Sequence, residues 1–364
     1  MPTNRMNRDE FFAKLAPLDE AALRKALWNL YWRGSAQVRE RIEGEIEPAE
    51  KARRQRAAAQ LPDPDLVLMD VGDFVRLARS GGYLAGTREV SPKERSQWRV
   101  TFRRLAADAQ AALRAPDSGP AEEALALLID LACETRDFDY FRSDDPMEAA
   151  RFVVSDAAEL LWSTLLDRYG FAGFAERAAP QLVRWESRYG WSRSGWGKLA
   201  EKETSLASVL TRMLRVPDMW AGFAARYLDA LDDAARGDGA ARSGIMLSSD
   251  FGTGSGRNWR RNRRAEALAE WNVELLGRLD GPETAHLLDR VAEHPALEGP
   301  ERTLLQARLA WRRGDKDRAR TLVGKVLEDL PGHPEALAFA AETGATLPPR
   351  AARIAAERSP RDAG

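Results

Sequence analysis

The chain has 364 residues, room for one to three domains at ~100–200 residues each. With 44% hydrophobic and 30% charged residues and a formal net charge of −1, it is neither wholly disordered nor drawn by bulk charge to any one partner. Arginine far outnumbers lysine, a bias that a GC-rich bacterial genome produces as readily as phosphate binding does, so only clustered arginines carry a functional argument.

Helix starts recur along the chain and strand alternation is scarce, which predicts an all-α fold built as a multi-helix array. Asp19 reads as an N-cap, with Leu18 and Leu23 as a hydrophobic staple, opening a helix through Leu27, Leu30 and Tyr31. Ser91-Pro92-Lys93-Glu94 places a cap, a first-turn proline and a reaching glutamate ahead of Trp98, Phe102 and Leu105. Residues 121–135 are apolar nearly all round, which predicts a central helix sandwiched between others and buries Cys133, the single cysteine, as a structural residue. Asp145-Pro146-Met147-Glu148 repeats the start signal ahead of Phe152, Leu160, Leu161 and Trp162. Between the starts, Gly34, Ser80-Gly81-Gly82, Gly170 and Gly190 read as helix stops.

Charge is uneven. Residues 117–150 hold ten acids against Arg136 and Arg142, a net of −8, whereas residues 1–116 carry a net of +5. The glycine-rich stretch 237–257 reads as a flexible linker or loop, dividing a helical region over 1–236 from a second over 258–364 whose end is a mobile tail. The chain starts without a secretory apolar region, and no window reaches the ~18 apolar residues of a membrane span. A cytoplasmic protein with no membrane partner is expected.

In the last region Ala307, Gly314-Asp315, Ala319 and Pro331 fall where a helix-turn-helix unit needs a small residue, a turn, a second small residue and a stop. The segment from Pro300 to Pro334 thereby resembles a tetratricopeptide repeat, a unit of about 34 residues. Thr303, Gln306 and Val326 depart from its pattern. Residues 266–296 resemble a shorter, degenerate pair, and Pro334 to Ala341 the start of another, so the resemblance covers about 266–341. It implies stacked helical hairpins that hold a protein partner.

Catalytic constellations are not found in linear motifs. His286, His294 and His333 are scattered, and Glu283-Thr-Ala-His286 lacks the second copy that a di-iron bundle needs. The acids Asp137, Asp139, Asp144 and Asp145 lack calcium-loop spacing, and Gly252-Thr-Gly-Ser-Gly256 lacks the Lys-Ser/Thr of a nucleotide cradle. No metal and no cofactor is expected. Two clusters remain. Arg257, Trp259, Arg260, Arg261, Arg263 and Arg264 are the most basic run, and on a helix Arg257, Arg260, Arg261 and Arg264 share a face that suits a phosphate backbone with an indole to stack. The same run also reads as a solvated helix start paired with acids such as Glu266 and Glu270. Trp185, Arg188, Tyr189, Trp191, Arg193 and Trp196 interleave aromatic and basic groups, suited to base stacking or to anchoring a turn on the core. The expectation is a non-enzymatic helical scaffold or adaptor with a protein partner. RNA or DNA binding through 257–264 is the alternative, and an enzyme with an all-helical carboxylate site the third reading.

Overall fold

The computed structural model describes residues 6–33, 38–39, 41–42, 61–80, 92–135, 146–189, 201–240 and 255–358. Among these, sixteen helices are bounded and there is no strand. The chain divides into two compact units at Leu61/Pro62.

In the first unit, α1 (Arg8–Leu15) starts at a reciprocal box in which the Asn7 side chain accepts from the Glu10 amide and the Glu10 carboxylate accepts from the Asn7 amide. The second helix, α2 (Glu20–Arg33), starts as the sequence predicts: the Ala22 amide donates to Asp19 Oδ1 at 2.7 Å. No described side chain of this unit is buried, and Phe11, Phe12, Leu27, Trp28, Leu30 and Trp32 are exposed.

The second unit opens with α3 (Pro64–Arg79), capped by Asp63. It continues with α4 (Pro92–Ala112) and α5 (Gly119–Glu134). Helix α5 is the central helix that the sequence predicts: it packs against α3, α4 and a long later helix, and Ala124, Leu125, Leu128, Ile129, Leu131 and Cys133 are fully buried. The expected helix from Pro146 through Trp162 is interrupted. α6 (Pro146–Ala150) stops where Arg151 adopts φ 55°, and α7 (Val154–Tyr189) begins three residues on. Two contacts hold the break: Arg103 donates from Nε and Nη2 to the Ala150 and Ala149 carbonyls at 3.1 Å, and Glu203 accepts from the Val154 and Ser155 amides at 2.7 and 3.0 Å. Gly170 stops the first arm of α7 at φ 65°, ψ −177°, a conformation open to glycine, and the second arm resumes directly.

Helices α8 (Leu206–Met213) and α9 (Pro217–Ala240) lie against α7. The segment expected as a linker begins inside α9, where Asp238 is buried, and Ser255 to Arg257 open α10 (Ser255–Ala267); residues 241–254 lie outside the described residues. Next come α11 (Ala269–Arg278) and α12 (Ala285–Ala292). Apolar packing is continuous from Val67 on α3 to Leu309 on α13 (Pro300–Arg312), so α10–α13 close the same core as α3–α9.

A second, smaller core joins α13 to α14 (Lys316–Asp329), α15 (Pro334–Thr343) and α16 (Pro349–Arg358) through Leu304, Ala307, Val323, Leu327, Phe339 and Ala351. Gly314 turns α13 into α14 at φ 84°, with the Asp315 amide returning to the Ala310 carbonyl. Gly344 ends α15 identically at φ 64°, with the Ala345 amide on the Ala340 carbonyl. Ala307 and Ala319 are fully buried where α13 and α14 approach. The polar residues that break the repeat pattern have local work: Gln306 Nε2 donates to the Ala292 carbonyl at the end of α12, and Thr303 Oγ1 to the Gly299 carbonyl.

Candidate functional site

The arginine run lies on α10, whose described side chains divide by direction. Arg264 is 11% exposed and donates from Nη1 and Nη2 to the two oxygens of Asp238 at 3.0 and 3.2 Å, and from Nη1 to the Ala296 carbonyl at 3.1 Å. One turn earlier, Arg261 Nη1 reaches Glu298 at 2.8 Å while its Nε stands 3.8 Å from Asp238. Both guanidinium groups thus point at carboxylates of the same chain. Asp238 sits in the last turn of α9, where a carboxylate opposes the helix dipole, and the two arginines offset that cost. Arg263 is half-buried beside Glu266, and Arg260 is exposed. The side chains of Arg257 and Trp259 lie outside the described residues.

In the second cluster only Trp185 has a described side chain. Its ring is fully buried, stacked on Trp162 at 5.9 Å between centroids, and its Nε1 donates to Asp130 Oδ1 at 2.6 Å. Arg184 binds the same oxygen at 2.6 Å. This indole joins α5 to α7 and is closed to a stacking ligand. Arg188 and Tyr189 belong to the last turn of α7 with side chains outside the described residues, and Trp191, Arg193 and Trp196 lie wholly outside them, as do Asp137, Asp139, Asp144 and Asp145.

Two histidines form a recurring arrangement that linear spacing does not announce. His294 is 5% exposed; its Nε2 meets Asp232 of α9 at 3.1 Å and its Nδ1 accepts from the Ala296 amide at 3.2 Å. His333, the N-cap of α15, places Nε2 against Glu301 of α13 at 2.6 Å and Nδ1 where it accepts from the Ala336 amide at 3.2 Å. In each case a His-Pro pair lets one imidazole close a turn with one nitrogen and grip an earlier helix with the other. Burial holds His294 below the ordinary histidine pKa against the opposing pull of Asp232, whereas the hydrogen bond to Glu301 lifts His333 above it. Glu266 is raised by burial and then by the nearby Glu301. The sequence signal common to both sites is the His-Pro dipeptide, which follows the end of α12 at His294 and starts α15 at His333. His286 is exposed.

Among the described residues no group of three or more His, Cys, Asp or Glu is placed to hold a metal ion, and no helix is long and apolar enough to cross a membrane. Among the described residues, the fold and these contacts define an all-helical array in which polar groups tie together helices that are mostly not neighbours in sequence. No protein-family model, no curated protein and no solved structure matches the chain.

Proposed function

We propose that the chain is a helical scaffold or adaptor that holds a protein partner on the tetratricopeptide-like region formed by α11–α16. The reading is supported above all by the α13–α14 pair, with Ala307 and Ala319 buried at its crossing and a glycine turn between the helices, followed by α15 packed on α14. A helix pair of this kind covers its apolar face by stacking on neighbours and leaves a regular outer surface for binding. The reading as a nucleic-acid surface loses Arg261 and Arg264 to Glu298 and Asp238, so it takes second place.

The test is affinity capture from the cells that express the protein, with the full chain and with an Arg318→Glu, Lys325→Glu variant. Both positions are exposed, seven residues apart on one face of α14. A partner of the wild type lost by the variant at unchanged melting temperature supports the scaffold. Equal recovery of every partner removes the role assigned to this face.

A further inference from the structure

His333 is built for two neutral-state contacts at once. Its Nδ1 caps α15 by accepting from the Ala336 amide at 3.2 Å, which requires an unprotonated nitrogen, and its Nε2 faces Glu301 at 2.6 Å, which requires a donor. The neutral tautomer with the proton on Nε2 satisfies both. A second proton goes to Nδ1, and that nitrogen then turns from acceptor to donor. The cap fails at that moment, while the contact with Glu301 becomes a full ion pair.

We propose that His333 is a proton-operated latch that transfers its hold from α15 to α13: neutral, it fastens the first turn of α15; protonated, it releases that turn and grips Glu301 alone. The groups facing it favour the charged state on balance. Glu301 on α13 and Glu335 on its own helix attract the proton, and Arg308 on α13 opposes it. On α10, Glu266 lies close enough for His333 to lower its pKa, with Arg263 beside it. Arg358 of α16 donates to the Gly332 carbonyl next to the imidazole, so α16 shares the same turn.

His294 supplies an internal contrast. It makes the same two contacts, through Ala296 and Asp232, but is more deeply buried and faces Arg290 and Arg264. Its environment disfavours the charged imidazole, so its turn stays closed under mild acid that opens the one at His333.

The experiment is amide exchange on the full chain at pH 5.0 and 8.0, expressed as protection factors so that intrinsic rates cancel. The Ala336 amide and its neighbours in the first turn of α15 should lose about fivefold protection at the lower pH, the worth of a typical N-cap. The Ala296 amide should hold. In His333→Asn, which caps without titrating, protection at Ala336 should be the same at both pH values. In Glu301→Gln the transition should move to lower pH. Equal protection of Ala336 at both pH values in the wild type, or the same loss in His333→Asn, overturns the proposal. So does a transition that Glu301→Gln leaves in place.

Discussion

Replacing Asp238 by alanine tests whether the arginine helix is internal architecture. Asp238 is 7% exposed and takes both terminal nitrogens of Arg264 at 3.0 and 3.2 Å, with Arg261 Nε at 3.8 Å. Without it, Arg264 keeps only the Ala296 carbonyl, and a largely buried cation stands without a counter-charge. Breaking a buried pair from one side costs about 3–5 kcal/mol, because the desolvation of the survivor is no longer offset. At ~2 °C per kcal/mol for a unit of this size, the melting temperature should fall by roughly 6–10 °C. Urea melts followed by circular dichroism give the free energy directly. The double variant Asp238→Leu, Arg264→Met should lose far less, about 1 kcal/mol or under, since apolar groups of similar size replace a buried pair at little cost. A loss below ~1 kcal/mol in Asp238→Ala, or a double variant as unstable as the single one, refutes the reasoning. If the arginines instead served an external polyanion, Asp238→Ala would leave the melt in place and strengthen retention on heparin.

Trp185→Ala should cost about 3–5 kcal/mol, as expected for a fully buried indole. Trp185→Phe, which keeps the packing on Trp162 but abandons the bond to Asp130, should cost about 1.5–3 kcal/mol, and urea melts that show either variant near wild type place the ring outside the core. The two histidines should give opposite pH signatures in overall stability. The pKa of His333 is raised in the folded chain, so its contribution is fully present below its unfolded value of ~6.5 and is lost as pH rises through the folded value. That of His294 is lowered, so its contribution is present above ~6.5 and is lost as pH falls through the folded value. Melting series from pH 5 to 8 should therefore show His333→Asn converging on the wild type toward high pH and His294→Gln converging toward low pH. Parallel curves for either variant contradict the assigned shift.

The sequence carries the parts of this fold that depend on neighbours along the chain. Asp19 caps α2 because a carboxylate two or three residues ahead of free amides needs no distant partner, and Gly314 turns α13 because only its own backbone is involved. The all-round apolar run of α5 likewise announces burial, whatever packs on it. Where a local signal competes with a distant contact, the distant contact decides. A helix starts at Pro146, but the carbonyls of Ala149 and Ala150 are claimed by Arg103, 46 and 47 residues earlier, and Glu203 claims the amides at Val154 and Ser155.

The candidate site follows the same division. A run of arginines with three- and four-residue spacing states that one helix face is basic, and says nothing of the charge that meets it. Here Asp238 and Glu298, from α9 and from the turn before α13, supply that charge for Arg261 and Arg264. Arg264 lies in the last turn of α10, where the helix dipole favours a cation, so it is the burial of its guanidinium that calls for a counter-charge, and Asp238 supplies it. The histidines illustrate the converse. Each looks isolated in sequence because its carboxylate partner is 62 residues away at Asp232, or 32 at Glu301. Their proximity to those acids depends on α9 and α13 being already packed, so the titration of His333 reports on tertiary structure, and a change in how α13 meets α15 must change its pKa.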